Sequence, residues 1–318
     1  VMDNKNKKSN LGVLIKIIVS AVLFYIIFNS INFEQVTQNI KSINIYYILL
    51  VILLIILNYI VSSVRWKYLI IHANAENIKL KFLVNLYFIG SFFNNFMPTS
   101  MGGDVFKVYS LGKKINSKTN AFAATFMERF TGMMALIFIS YFGLVKTMSF
   151  WTSLLPDFIQ GNNLYTNLFK FSLFFGFWIA ALLMFFVIKL LSKKISFISK
   201  IYSSFLEYKY KKNVLYNALL TSFVVQVLAI LSQYLVFTAL NVQVDFYYAI
   251  AVLPVITLAG FFIPSLNGLG IQDALYIQFF TLVGVSAEIA LTASIMYHLC
   301  RLVISLFGGV LYAMGKDK

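Results

Sequence analysis

Phe96-Met97-Pro98-Thr99-Ser100-Met101-Gly102-Gly103-Asp104-Val105-Phe106-Lys107-Val108-Tyr109 is the stretch on which the fold turns. An apolar run meets a proline, then small and polar residues, then a glycine pair, then a helix-forming segment that carries charge. The pattern returns near the end of the chain as Phe262-Ile263-Pro264-Ser265-Leu266-Asn267-Gly268-Leu269-Gly270-Ile271-Gln272-Asp273-Ala274-Leu275-Tyr276. Proline and glycine break helices. Broken helices at membrane depth are tolerated only where they pack in protein or line a wet cavity. Two of them, in corresponding halves of a chain, point to a transporter-like binding site.

The composition supplies the membrane. Hydrophobic residues make up 60% of the chain and charged residues 12%, which excludes a soluble domain and indicates a polytopic membrane protein. The net charge of +15 is no nucleic-acid footprint. Its lysines cluster in short segments between apolar runs, as loops on one side of a bilayer do. The single Cys300 excludes an internal disulfide and a cysteine-rich metal site, and His72 and His298 are too few for a histidine metal cluster. No cofactor is expected. The basic, then apolar N-terminus lacks a small-residue cleavage site and reads as an uncleaved first helix.

A span needs about 20 apolar residues. Six stretches qualify, near 11–28, 46–64, 121–145, 168–190, 214–240 and 287–314. Two others are shorter or interrupted: 82–97 runs into Pro98, and 247–263 contains Pro254 and runs into Pro264. These read as re-entrant hairpins, each with a return arm. The expected fold is therefore all-α, a single membrane domain over 1–318. Its pseudo-repeat halves lie near 11–147 and 168–314.

Positive charge sets the orientation. Lys5, Lys7 and Lys8 place the N-terminus in the cytoplasm, and Lys316 and Lys318 place the C-terminus there. Arg65, Lys67, Lys79 and Lys81 follow the second span and read as internal, as do Lys113, Lys114 and Lys118 beyond the first break. A large internal loop runs from Lys189 to Lys212. Segments assigned outside hold Glu34, Lys41, Asp157, Asp245 and Glu288. Three spans and one hairpin per half make the second half upside down relative to the first, so the hairpins enter from opposite faces. Eight simple spans have the same parity and remain the alternative.

Ionisable groups inside a bilayer are expensive, about 3 kcal/mol each on the lenient insertion scale. The candidates are Asp104 and Lys107 after the first break, Glu128 and Arg129 in the third span, Asp273 after the second break, and Arg301 in the last span. Adjacent residues on a helix point about 100° apart, so Glu128 and Arg129 each need a partner elsewhere, such as Asp104 or Asp273 for Arg129. An interhelical salt bridge that only holds the bundle together is the alternative role for both. Arg301 lies too deep to snorkel easily and suits a phosphate, or else a buried acid. His298 reads as a packing or hydrogen-bonding residue rather than a proton relay, and Cys300 as core. Gly102-Gly103 and Gly268-Leu269-Gly270 let backbone approach a ligand, with helix starts behind them that favour anions; a turn alone also accounts for them. The basic loop needs no partner beyond anionic lipid.

At these residues the chain resembles the flippase-like membrane domain of the lysylphosphatidylglycerol synthase family, the multiple peptide resistance factors, and their free-standing relatives. The matching features are Asn95-Phe96-Met97-Pro98 through Gly102-Gly103-Asp104-Val105, Lys107, Leu111-Gly112, and the 121–136 stretch with Glu128-Arg129 and Gly132. Pro264-Ser265, Gly268-Leu269-Gly270 and Gly308-Gly309 continue them in the second half. The family often has Arg at Lys107 and Glu at Asp273; lysine keeps the charge but loses bidentate phosphate recognition. The resemblance implies movement of an aminoacyl-phosphatidylglycerol or a polyprenyl-phosphate-linked sugar between leaflets of the cell membrane. Arg129, Lys107 and Arg301 would hold the phosphate. Asp104, Glu128 and Asp273 would balance charge or bind a cationic head group. Pro98, Gly102, Gly103, Pro264, Gly268 and Gly270 would shape the hairpins around it.

The synthase domain of full-length relatives does not appear in this sequence, so transport is expected rather than enzymatic activity. Other readings are an ion-coupled small-solute carrier and a subunit docking a separate synthase through the basic loop. The partner is then a membrane phospholipid or lipid-linked sugar, with a separate synthase or a second copy of the chain as further candidates. A membrane enzyme ranks last, because no nucleophile–base pair or metal-ligand cluster is visible.

Overall fold

A computed structural model describes residues 32–71, 78–96, 102–156, 164–165, 167–169, 171–172, 208, 210–263 and 267–316. Among them all regular structure is helical. In chain order the helices are α1 (Phe33–Lys41), α2 (Ile45–Leu69), α3 (Leu80–Phe96), α4 (Gly102–Lys114), α5 (Lys118–Lys146), α6 (Met148–Ser153), α7 (Lys212–Ala239), α8 (Phe246–Phe262), α9 (Ile271–Thr281) and α10 (Ala287–Ala313). Polar caps mark several starts. Asn44 accepts from the Tyr46 N–H, Ser117 from Asn120, Asp245 from Tyr248 and Ser286 from Ile289, which satisfies donors that a helix start leaves orphaned.

Four helices, α2, α5, α7 and α10, are long and apolar enough to cross a membrane. At about 1.5 Å per residue the 25 residues of α2 reach about 37 Å. These four carry the spans expected at 46–64, 121–145, 214–240 and 287–314. The span expected at 11–28 lies outside the described residues, as does nearly all of that at 168–190; of the basic loop only residues 208 and 210–212 are described. Two expectations are corrected. The interruption at Pro254 is absent, because α8 runs unbroken from Phe246 to Phe262. Proline removes one ladder bond, and one turn before it Ile250 and Ala251 pack closely against Gly143 of α5. Arg65 is not a loop residue: α2 continues to Leu69 and buries it.

The two broken segments form antiparallel helix pairs. In the first, Phe93 meets Phe106 near the break, and Phe82 meets Lys114 at the far end. In the second, Gly260 meets Gln272, and Tyr248 donates to the Phe279 carbonyl. The open end of the first pair packs with Trp66, Leu69 and Ile70 at the C-terminal end of α2. The open end of the second packs with Ile48 and Val51 at its N-terminal end. The tips meet between them, where the Asn267 amide donates to Asn95 Oδ1.

Other contacts are exchanged between halves. Antiparallel α2 and α7 join through the Asn44 N–H to the Ala239 carbonyl at 2.9 Å and Asn58 Nδ2 to the Val225 carbonyl at 2.6 Å. Helix α5, which follows the first pair, packs on α8 of the second; α10, which follows the second, packs on α3 of the first. Each crossing is made close by a glycine. A Cβ on Gly143 would lie 2.4 Å from the Ala251 nitrogen, and one on Gly308 would lie 1.9 Å from the Phe88 carbonyl oxygen.

Candidate functional site

Helices α2, α4 and α5 bring together a compact ionic cluster. Glu128 lies on the buried face of α5 and accepts Arg65 Nη2 at 2.8 Å and Lys107 Nζ at 3.0 Å. Lys107 also reaches Asp104, one helical turn earlier on α4, at 3.8 Å. Its ammonium sits 3.8 Å from the Tyr87 ring centroid and 4.6 Å from that of Trp66, so aromatic faces replace part of its lost hydration. Arg65 Nη1 donates to Ser222 Oγ at 3.2 Å, which carries the network onto α7. Arg129, next to Glu128 in sequence, points elsewhere, as helical geometry requires. Its guanidinium pairs with Asp104 at 2.6 Å, is 41% exposed, and lies 5.3 Å from the Phe261 ring at the end of α8.

A second cluster lies where α9 meets α10. Buried Asp273 accepts the Gly270 N–H at 2.8 Å on Oδ2 and the Ser294 hydroxyl at 2.5 Å on Oδ1. His298 Nε2 stands 3.6 Å from Oδ1. Arg301, one turn further along α10, contacts Asn267 at 3.4 Å and lies 5.7 Å from the Tyr297 ring. Among the described residues it has no carboxylate within ion-pair distance. Arg129 and Arg301 thus both reach the tip of the second pair, one from each half.

Asp104 is the partner of Arg129, as the sequence allowed; Asp273 is not. Lys107 and Glu128 are brought together but face one another in the bundle, not an opening. Gly102 and Gly103 are buried at the start of α4. A Cβ on Gly103 would lie 2.0 Å from the Gly90 carbonyl oxygen, so the space it leaves is filled by α3. Two helix-start donors are also already used: the Gly103 N–H goes to Asn94 Oδ1 at 2.8 Å, and the Gly270 N–H to Asp273. Asn267, Gly268 and Gly270 have positive φ and form the turn into α9, a conformation that favours glycine and asparagine. Pro98 and Pro264 lie outside the described residues. Cys300 is buried core, as expected.

Sequence reasoning missed Arg65, the aromatic walls Trp66 and Tyr87, and the tip asparagines Asn95 and Asn267 as a pair. Arg65 carried a signal. Val64-Arg65-Trp66-Lys67-Tyr68-Leu69 holds no helix breaker, so the helix could be extended past the hydropathy limit.

An all-helical bundle with four membrane-length helices, two broken helix pairs meeting tip to tip, and buried ion pairs within the bundle defines a multi-pass membrane protein. The chain belongs to the family described as the lysylphosphatidylglycerol synthase TM region, which it matches over residues 13–309. It is also similar to the UPF0104 membrane protein MJ1595 of Methanocaldococcus jannaschii, at 24% identity over 317 residues, covering 91% of this chain and 90% of that protein. The family match is to a transmembrane region.

Proposed function

We propose that this protein is a lipid translocase of the cell membrane. It moves a lipid whose head group is anionic and aminoacylated, or a sugar linked through polyprenyl phosphate, between leaflets. The observation that carries this reading is the convergence of Arg129 and Arg301 on one hairpin tip. Arginine presents planar paired donors that match a phosphate. Arg129 is half-exposed, and Arg301 lacks a carboxylate partner among the described residues. The buried Arg65–Glu128–Lys107 cluster then holds α2, α4 and α5 in place behind them.

The two pairs are re-entrant hairpins entering from opposite faces, within halves of inverted topology, with both termini in the cytoplasm. Their open ends at opposite ends of α2 support this arrangement. Rocking of one half against the other would expose the tip to each leaflet in turn, while the acyl or prenyl tail stays in lipid.

The test is mass spectrometry of lipids that remain bound after gentle detergent purification, comparing wild type with Arg129→Ala. An aminoacylated or sugar-linked lipid enriched only in wild type is the expected result. Bulk membrane lipid, equal in both, would overturn the assignment and favour a solute carrier.

A further inference from the structure

Helices α9 and α10 meet at a carboxylate–imidazole pair that the head-group site leaves unused. Asp273 is 1% exposed, and both its oxygens accept hydrogen bonds, from Gly270 and Ser294. His298 Nε2 faces Oδ1 at 3.6 Å, too far for a hydrogen bond, and is buried with no hydrogen-bond partner among the described residues. An orphaned polar atom of this kind needs a reason.

The first half shows what the pair lacks. Asp273 stands as far along the chain from Asp104 as His298 does from Arg129. Both acids lie in the first turn of the short helix after a break, and both basic residues lie on the long helix that follows. The Arg129–Asp104 pair is closed at 2.6 Å. Arginine is always charged, whereas histidine is the side chain whose charge ordinarily changes between about pH 5 and 8. Matching places therefore hold a permanent ion pair in one half and a titratable pair in the other.

We infer that Asp273 and His298 form a proton-binding site, and that its proton is linked to anion binding at Arg301. A proton taken from water onto Nε2 makes the imidazole a cation and a donor facing Oδ1. That closes the gap and clamps the second helix pair to α10. The groups around the site are few. Helix α9 brings Asp273 and Tyr276, and α10 brings Tyr297 and Arg301. Helix α2 brings Tyr59 beside Tyr297, and α7 brings the neutral Gln233, bonded to Tyr276. On α1, Glu34 and Lys41 are exposed, and on α3, Lys81 is exposed while Tyr87 faces Lys107.

Arg301 lies one turn from His298 on the same helix, where a second positive charge is disfavoured. An anion seated on it removes that opposition, so proton and anion favour one another's binding reciprocally. The linkage rests on the head-group reading above; the proton site does not.

The test uses the His72→Asn protein, in which His298 is the one remaining histidine. Imidazole 15N shifts are followed against pH in nanodiscs of phosphatidylcholine, with and without phosphatidylglycerol. We expect the one remaining imidazole to gain charge as the pH is lowered. Its midpoint should move by about one unit, a tenfold change in proton affinity, in Asp273→Asn. Should that variant not fold, Ser294→Ala alters the same carboxylate and must move the midpoint too. An imidazole that keeps one charge state throughout, or a midpoint indifferent to these substitutions, overturns the proton site. Phosphatidylglycerol should raise the midpoint. A midpoint sensitive to Asp273 but equal in both lipids upholds the proton site and overturns anion binding at Arg301.

Discussion

The two broken helix pairs are alike in shape and opposite in how they handle charge. The first anchors its short helix with ions: Lys107 and Asp104 on α4 meet Glu128 and Arg129 of α5, and Arg65 of α2 joins through Glu128. The second anchors α9 with one carboxylate, held by a backbone N–H and a hydroxyl and facing an imidazole that does not reach it. A closed network of buried ions resists change, because parting any two members leaves a charge without hydration. A single acid with neutral donors can be separated at less cost. The comparison predicts that parting the first pair from its neighbours costs more than parting the second.

The sharpest way to break this contrast is at Glu128, which joins Arg65 and Lys107. Glu128→Ala leaves Arg65 buried without a carboxylate and Lys107 with only Asp104 at 3.8 Å, where Arg65 Nε, Trp66 Nε1 and Tyr87 Oη already lack partners among the described residues. A loss of about 3–5 kcal/mol is expected, read as a fall in the thermal unfolding midpoint in detergent. Replacing Arg65, Lys107 and Glu128 together by Met, Met and Leu should recover most of it, since an apolar set of similar volume carries no desolvation cost. A mild Glu128→Ala would mean that water reaches the cluster.

A smaller effect tests what the halves share. Gly143 and Gly308 each let a long helix touch the backbone of the other half. Alanine at either forces the helices apart, at about 1–3 kcal/mol each by the same unfolding measurement. Equal losses would support the exchange of contacts between halves. A loss at Gly308 alone would confine the tight crossing to α10 and α3.

The helix breaks were legible because proline and glycine act through the backbone, wherever the chain goes. The runs ending at Phe96 and Phe262 and the charged helices beyond them stand where Pro98 and Pro264 indicated. Asp104 could be named as a partner for Arg129 because both had to be neutralised in an apolar setting. Arg65 could not be placed so easily, since a charge rule counts a helix-end arginine and a loop arginine alike. Helix continuity through Trp66 and Leu69 was the missing cue. The role of Gly103 was hidden for another reason: its missing Cβ makes room for Gly90 of α3, a neighbour that only the folded pair supplies. The Asn95–Asn267 contact depends on two tips arriving at one point, which no local pattern encodes.

Arg129 should give the smallest change in stability, and the comparison that matters is with Arg65. Both are arginines on long helices with a carboxylate within 2.8 Å. Arg65 is 7% exposed and shares its acid with Lys107; Arg129 is 41% exposed, and Lys107 remains near Asp104 if it is removed. Arg129→Ala should therefore cost less than Arg65→Ala, because Asp104 keeps Lys107 as a partner. Arg65→Ala should approach the loss seen at Glu128. This ordering decides whether lipid retention can be interpreted at all. If Arg129→Ala keeps its unfolding midpoint and loses its lipid, the guanidinium acts on the lipid. If it unfolds as readily as Arg65→Ala, Arg129 belongs to the buried cluster, and the head-group site must then rest on Arg301 alone.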